Sequence, residues 1–100
     1  MRRNEYVIHL VFNEKIYSRV IIDQHYKISH PDMSDELIIE ILKSLIFEDI
    51  RLDSEVGEYG YYKVDPAYLN SLPYRLIIVI PKDDKYIGVI NAFRIKRKKK

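Results

Sequence analysis

Residues 5–12, Glu-Tyr-Val-Ile-His-Leu-Val-Phe, carry the apolar-rich, partly alternating pattern of a β-strand. Asn13-Glu14 reads as a turn. Residues 15–22, Lys-Ile-Tyr-Ser-Arg-Val-Ile-Ile, read as a second strand. Strict alternation puts Ile16, Ser18, Val20 and Ile22 on one of its faces and Tyr17, Arg19 and Ile21 on the other. A polar stretch, 23–30, predicts a short helix with Asp23 as N-cap and Pro31 as its stop. The clearest helix follows. Ser34 stands as N-cap, Asp35 and Glu36 fill the first turn, and Ile38, Ile41, Leu42 and Leu45 form an apolar stripe at helical spacing. Asp35, Glu36, Glu40 and Lys43 fall toward the polar side. This helix is expected to end near Ile46 or Phe47.

Residues 48–57 are acidic and end in Gly57, which predicts a loop. The tyrosine-rich run 58–64 predicts a strand, with Gly60 marking a bulge or a close approach. Asp65-Pro66 opens a second predicted loop that lasts through Pro73. Residues 74–80 form the most apolar run and are read as a central strand. After a turn at 81–85, residues 86–94 form the last strand. The expected class is therefore α+β. It consists of an antiparallel sheet of about five strands and two helical segments in the order β-β-α-α-β-β-β. Residues 1–95 form a single domain and 96–100 a basic tail.

Composition narrows the classes. The chain is 47% hydrophobic and 32% charged, ample for a folded core and against disorder. Without cysteine, disulfides and thiolate metal sites are excluded. No apolar run approaches the roughly 20 residues of a membrane span. Met1-Arg2-Arg3-Asn4-Glu5 leads straight into a strand pattern, so a signal peptide is not expected and the expected location is cytoplasmic. Charge is unevenly spread. Residues 32–65 hold ten acids and three bases, whereas residues 66–100 hold nine bases and two acids. The basic end suggests an anionic partner, and the alternative is that the two regions face each other or aid solubility.

Three histidines are present. His9 lies in the first strand, while His25 and His30 flank the short polar segment. Histidine suits proton transfer near neutral pH. Cleavage of RNA by its own 2′-hydroxyl requires a base, an acid and cations for the developing charge. Two histidines with nearby Lys or Arg supply these without a metal; the alternative reading makes both plain surface or capping residues. The spacing of His25 and His30 does not suit one helix face, and no His-Glu-x-x-His or Asp-rich loop is present, so neither a metal nor another cofactor is expected. Arg75 and Arg94 sit on adjacent C-terminal strands, where a guanidinium could hold phosphate or simply face solvent. Asn91 interrupts an apolar strand. Lys27, Tyr74, Arg94, Lys96 and Arg97 are candidate substrate contacts, through charge or base stacking.

Several segments taken together carry a family resemblance. They are Asp23-Gln24-His25, Met33-Ser34-Asp35-Glu36-Leu37-Ile38-Ile39-Glu40-Ile41-Leu42, Tyr74-Arg75-Leu76-Ile77-Ile78-Val79-Ile80, and Gly88-Val89-Ile90-Asn91-Ala92-Phe93-Arg94. Over roughly residues 20–95 the chain resembles the small ribonuclease toxins of the barnase–EndoU–colicin–RelE fold. The resemblance implies a RelE/barnase-like fold, with helices packed on an antiparallel sheet and RNA cleaved on the sheet surface without a metal. His25 would take the family's histidine position, Arg75 the arginine of the Y-R-L strand, and Asn91 a position where threonine is common. Lys27 and His30 stand where the family often has arginines, and the hairpin 5–22 lies outside its pattern. The implied partners are RNA and a cognate antitoxin or immunity protein. Two other readings fit the same residues: a non-catalytic nucleic-acid-binding module, and an antitoxin-like or immunity-like interaction module using the acidic middle.

Overall fold

The computed structural model describes residues 2–96. Its elements in chain order are β1 (Arg3–Phe12), β2 (Lys15–Asp23), α1 (Tyr26–Ser29), α2 (Asp35–Lys43), β3 (Leu52–Val56), β4 (Tyr59–Leu69), β5 (Leu72–Pro81) and β6 (Ile87–Arg94). The class is α+β. The strands form one sheet in the order β1-β2-β6-β5-β4-β3. Neighbours pair antiparallel except β2 and β6, which run parallel. The sheet is therefore mixed and six-stranded, where an antiparallel one of about five was expected.

Three corrections to the predicted elements have local causes. Residues 48–57 are not all loop, because Leu52–Val56 forms β3 at the sheet edge. All five of its residues are exposed, and a short, charged edge strand carries little apolar pattern. The predicted loop 65–73 is mostly strand. Asp65 and Pro66 sit at a register shift between Val64 and Ala67, a bulge that spares the proline a ladder hydrogen bond, and β4 then runs on to Leu69. The main helix stops at Lys43, with Ser44 as C-cap, earlier than Ile46 or Phe47.

Strand faces follow alternation until a bulge resets it. Between Val7 and Leu10 the β1–β2 register shifts, so Ile8 and His9 stand against Ser18 alone. Past this point Tyr17 turns inward and is buried, while Ile16 is 76% exposed, the reverse of the alternation expected of β2. The core lies on one sheet face. Val20, Ile22, Leu76, Ile78, Ile87, Val89 and Ala92 meet Ile38, Ile41 and Leu42 of α2 there. The sheet also curls on itself. Phe12 of β1 meets Tyr62 of β4 edge-on at 5.4 Å, although three strands separate them in the sheet. At the tip of the β1–β2 hairpin, Asn13 closes this curl. Its Nδ2 donates to the Ile50 carbonyl at 2.8 Å and its Oδ1 accepts from the Ile50 N–H at 2.7 Å.

Two of the three two-residue hairpin turns among the described residues have positive φ at each central residue: Asn13 at 50° and Glu14 at 67°, Asn70 at 52° and Ser71 at 66°. This is the twist-matching type I′ pattern, in which asparagine is comfortable and the second position favours glycine. Glu14 therefore holds a left-handed conformation against its Cβ. Glu14→Gly is expected to stabilise the protein by about 0.5–1 kcal/mol, read as a higher urea midpoint with unchanged slope.

Candidate functional site

The helices are anchored by a carboxylate. Ser34 Oγ accepts from the Leu37 N–H at 3.1 Å and starts α2, which makes Asp35 its first residue. Asp35 is not on the polar side, as the helical pattern had placed it; it is buried at 8% exposure. Its position continues the Ile38–Leu42–Leu45 stripe by one turn toward the N-terminus, which aims it at the sheet. Tyr6 Oη donates to Oδ2 at 2.6 Å, Asn4 Nδ2 to Oδ2 at 2.8 Å, and Tyr26 Oη to Oδ1 at 2.7 Å. Gln24 Nε2 lies 3.0 Å from both oxygens and also donates to the Ile22 carbonyl at 3.0 Å. One anion thus ties β1, the end of β2, α1 and α2 together through neutral donors. Gln24 Oε1 is left buried without a partner among the described residues. Turning the amide over would aim that oxygen at the carboxylate, so the orphaned acceptor is the lesser cost.

Burial pushes the Asp35 carboxyl up, but the bonds from Tyr6, Tyr26, Asn4 and Gln24 outweigh it and hold the group below its ordinary value. The opposite effect falls on the donors. Burial and then Asp35 raise the Tyr26 phenol, and the Asp35 bond followed by burial raises that of Tyr6.

Through Tyr26 the anchor fixes α1. β2 pairs with β6 only from Val20–Ile87 to Ile22–Val89, and α1 packs against β6. The expected Asp23 cap is shifted: Asp23 Oδ1 accepts from the His25 N–H at 2.9 Å, and His25 itself is the N-cap. At the other end the His30 N–H donates to the Tyr26 carbonyl at 2.8 Å and the His30 carbonyl accepts from Met33 at 3.1 Å. The His30 ring stacks on Phe93, centroids 4.8 Å apart and planes 21° from parallel.

Phe93 is the meeting point. It pairs across the strands with Arg75, whose Cζ lies 5.3 Å from the ring centre. Arg75 Nε donates to Asp65 Oδ2 at 2.7 Å. Register places Arg75, Ile77, Asn91 and Phe93 on the sheet face opposite the core residues Leu76 and Ala92. Lys63 pairs with Ile77 and joins the same open face, exposed.

The predicted site residues therefore divide. His30 and Arg75 come together on Phe93. Asn91 lies two residues before Phe93 on the same face, its Oδ1 accepting from the Ala92 N–H at 2.9 Å. His25 is exposed at the far end of α1. Lys27 is exposed, its Nζ 6.0 Å from the Tyr26 ring. Tyr74 is buried in the core at 6% exposure, so its ring packs the sheet and does not meet solvent. Arg94 and Lys96 line a shallow groove with Tyr68. Arg97 lies outside the described residues. His9 is exposed at the β1 bulge. Among the described residues no group of three His, Asp or Glu side chains is placed to hold a metal ion. No helix among them is long and apolar enough to cross a membrane.

Neither a family model, nor a curated protein, nor a solved structure matches the chain.

Three residues of this region were not singled out from the sequence. Asp35 carried a signal in its stripe position. Phe93 and Lys63 take their importance from cross-strand partners that lie far away in the chain.

Removing the carboxylate leaves two phenols and two amides without their acceptor. Asp35→Ala is expected to cost about 3–5 kcal/mol in urea unfolding. The folded carboxyl binds its proton more weakly than the unfolded one. Its contribution is thus complete above about pH 4 and is lost as pH falls through the lower folded value. Asp35→Asn should therefore be less stable at pH 6 and lose less stability than the wild type between about pH 4 and pH 2.

Proposed function

We propose that this chain is an endoribonuclease that needs no metal ion and works on the open sheet face around Phe93. The observation that supports this reading is the convergence of His30 and Arg75 on one aromatic ring, with Asn91 beside it. An imidazole and a guanidinium held on rigid elements supply a proton-transfer group and a phosphate partner. In the proposed reaction the 2′-hydroxyl gives its proton to a base as its oxygen attacks the adjacent phosphorus. The 5′-oxygen leaves with a proton from an acid, giving a 2′,3′-cyclic phosphate and a 5′-hydroxyl. His30 is assigned one of the proton roles and His25, five residues away across α1, the other. Arg75 and Lys63 would balance the charge that builds on the phosphate oxygens. Asn91 would position the substrate, with Arg94, Lys96 and Lys27 holding the flanking backbone.

The finer fold assignment belongs to the same proposal. α2 packed on one sheet face, with the other face open, supports a RelE/barnase-like arrangement, while the parallel β2–β6 pair and the sixth strand depart from the antiparallel sheet it implies. A cytoplasmic toxin restrained by a cognate antitoxin or immunity protein is the setting this implies. One observation favours a second reading, RNA binding without cleavage. Asp65 already engages the Arg75 guanidinium, which weakens its pull on a phosphate.

The test is incubation of purified protein with RNA in EDTA, beside His30→Ala, His25→Ala and Arg75→Gln, with folding followed by circular dichroism. The wild type is expected to leave cyclic-phosphate ends. His30→Ala is expected to slow cleavage about 10²–10⁴-fold while staying folded. Intact RNA with a folded wild type, together with salt-sensitive RNA retention, would establish the binding reading instead.

A further inference from the structure

Across the open face the strand register lays out three successive rows. Tyr61, Val79 and Gly88 form the first, Lys63, Ile77 and Asn91 the second, and Arg75 with Phe93 the third, beside Asp65. Successive rows lie two residues apart along β4 and β5, or about 7 Å. The first row opens into a cavity of about 240 Å³. Its walls carry the aromatic rings of Tyr59, Tyr61 and Tyr86, and Arg3 and Asp23 stand at its β1–β2 side. Glycine makes the depression. A Cβ on Gly88 would fall 2.7 Å from Val79 Cγ1 and 3.2 Å from the Val79 carbonyl oxygen, so only a bare backbone lets Val79 lean over β6. Burial and then the neighbouring Tyr59 phenol raise the Tyr86 hydroxyl, and Arg3 opposes them.

We infer that this cavity is a subsite for a single nucleobase of an RNA strand, two rows from the Phe93 cluster. The inference rests on the ribonuclease reading for its ligand. The volume is below the roughly 300–1,000 Å³ of pockets for drug-sized ligands, and suits one ring system. Three tyrosines offer stacking surfaces. The Asp23 carboxylate accepts hydrogen bonds from ring or exocyclic N–H groups of a base edge, and Arg3 attracts the attached phosphate. Lys63, in the row between, is placed for the next phosphate of a strand that continues toward Phe93. A methylated ammonium also favours aromatic cages, so choline is the control ligand.

The test is titration of the ¹⁵N-labelled full chain with each of the four ribonucleoside 3′-monophosphates, and separately with choline, followed by amide chemical shifts. Saturable shifts confined to the amides around Gly88, Tyr59, Tyr61 and Tyr86, with one base preferred, are expected. Tyr59→Ala and Arg3→Ala remove exposed side chains, so both should fold, and each should weaken binding about tenfold. No saturation with any nucleotide at millimolar concentration, or saturation by choline in their place, overturns the inference. Nucleotide binding by a protein that leaves RNA intact would keep the subsite and remove the cleavage reading. RNA cleavage whose base preference is unchanged in Tyr59→Ala, with no nucleotide binding, would keep cleavage and remove the subsite.

Discussion

The buried carboxylate of Asp35 is the constraint on which the rest depends. A carboxylate taken from water is costly unless every oxygen finds a partner. Here those partners are two phenols and two amides drawn from β1, the end of β2 and α1, and no cation sits among them. Hydrogen bonds to a charged acceptor are stronger than neutral ones, and the first turn of a helix favours an anion. α1 has only four residues and cannot hold itself together by its own ladder. The bond from Tyr26 to Asp35 therefore fixes where α1 ends, and with it where His30 meets the sheet.

The consequence is a division of labour between the two faces of one sheet. The inner face, filled with branched aliphatic side chains and closed by the Phe12–Tyr62 contact and the Asn13–Ile50 clamp, supplies rigidity. The outer face carries groups that have no packing duty in the core: Lys63, Arg75, Asn91 and Phe93, with a cavity around Gly88 at one end and His30 at the other. Strand register sets successive rows of these groups about 7 Å apart along β4 and β5.

Much of the scaffold was legible in the amino-acid order, because it is written in short-range patterns. The first hairpin, the Ser34 cap and the Ile38–Ile41–Leu42 stripe are local features, and all lie where the pattern put them. Other features are non-local. The parallel β2–β6 pairing joins segments separated by both helices and three strands. β3 hides its strand character behind edge charges, and Pro66 reads as a break until a bulge accommodates it. The same limit applies to the candidate site. Histidine and arginine were singled out by chemistry alone, but only register brings Arg75 to Phe93, and only the Asp35 anchor brings His30 there. Tyr74 was misplaced for the converse reason. It was offered as a base-stacking contact, whereas alternation along β5 turns it inward with Leu76 and Ile78.

The account stands most directly on the ionisation of Asp35 in the folded protein. Its carboxyl ¹³C resonance, followed from neutral pH into acid in the intact chain, measures it. The account predicts a midpoint below that of an ordinary aspartate, with the Tyr6 and Tyr26 ring resonances and the His30 amide moving at the same midpoint. A midpoint at or above the ordinary value, or a titration that leaves Tyr26 and His30 unmoved, would contradict it.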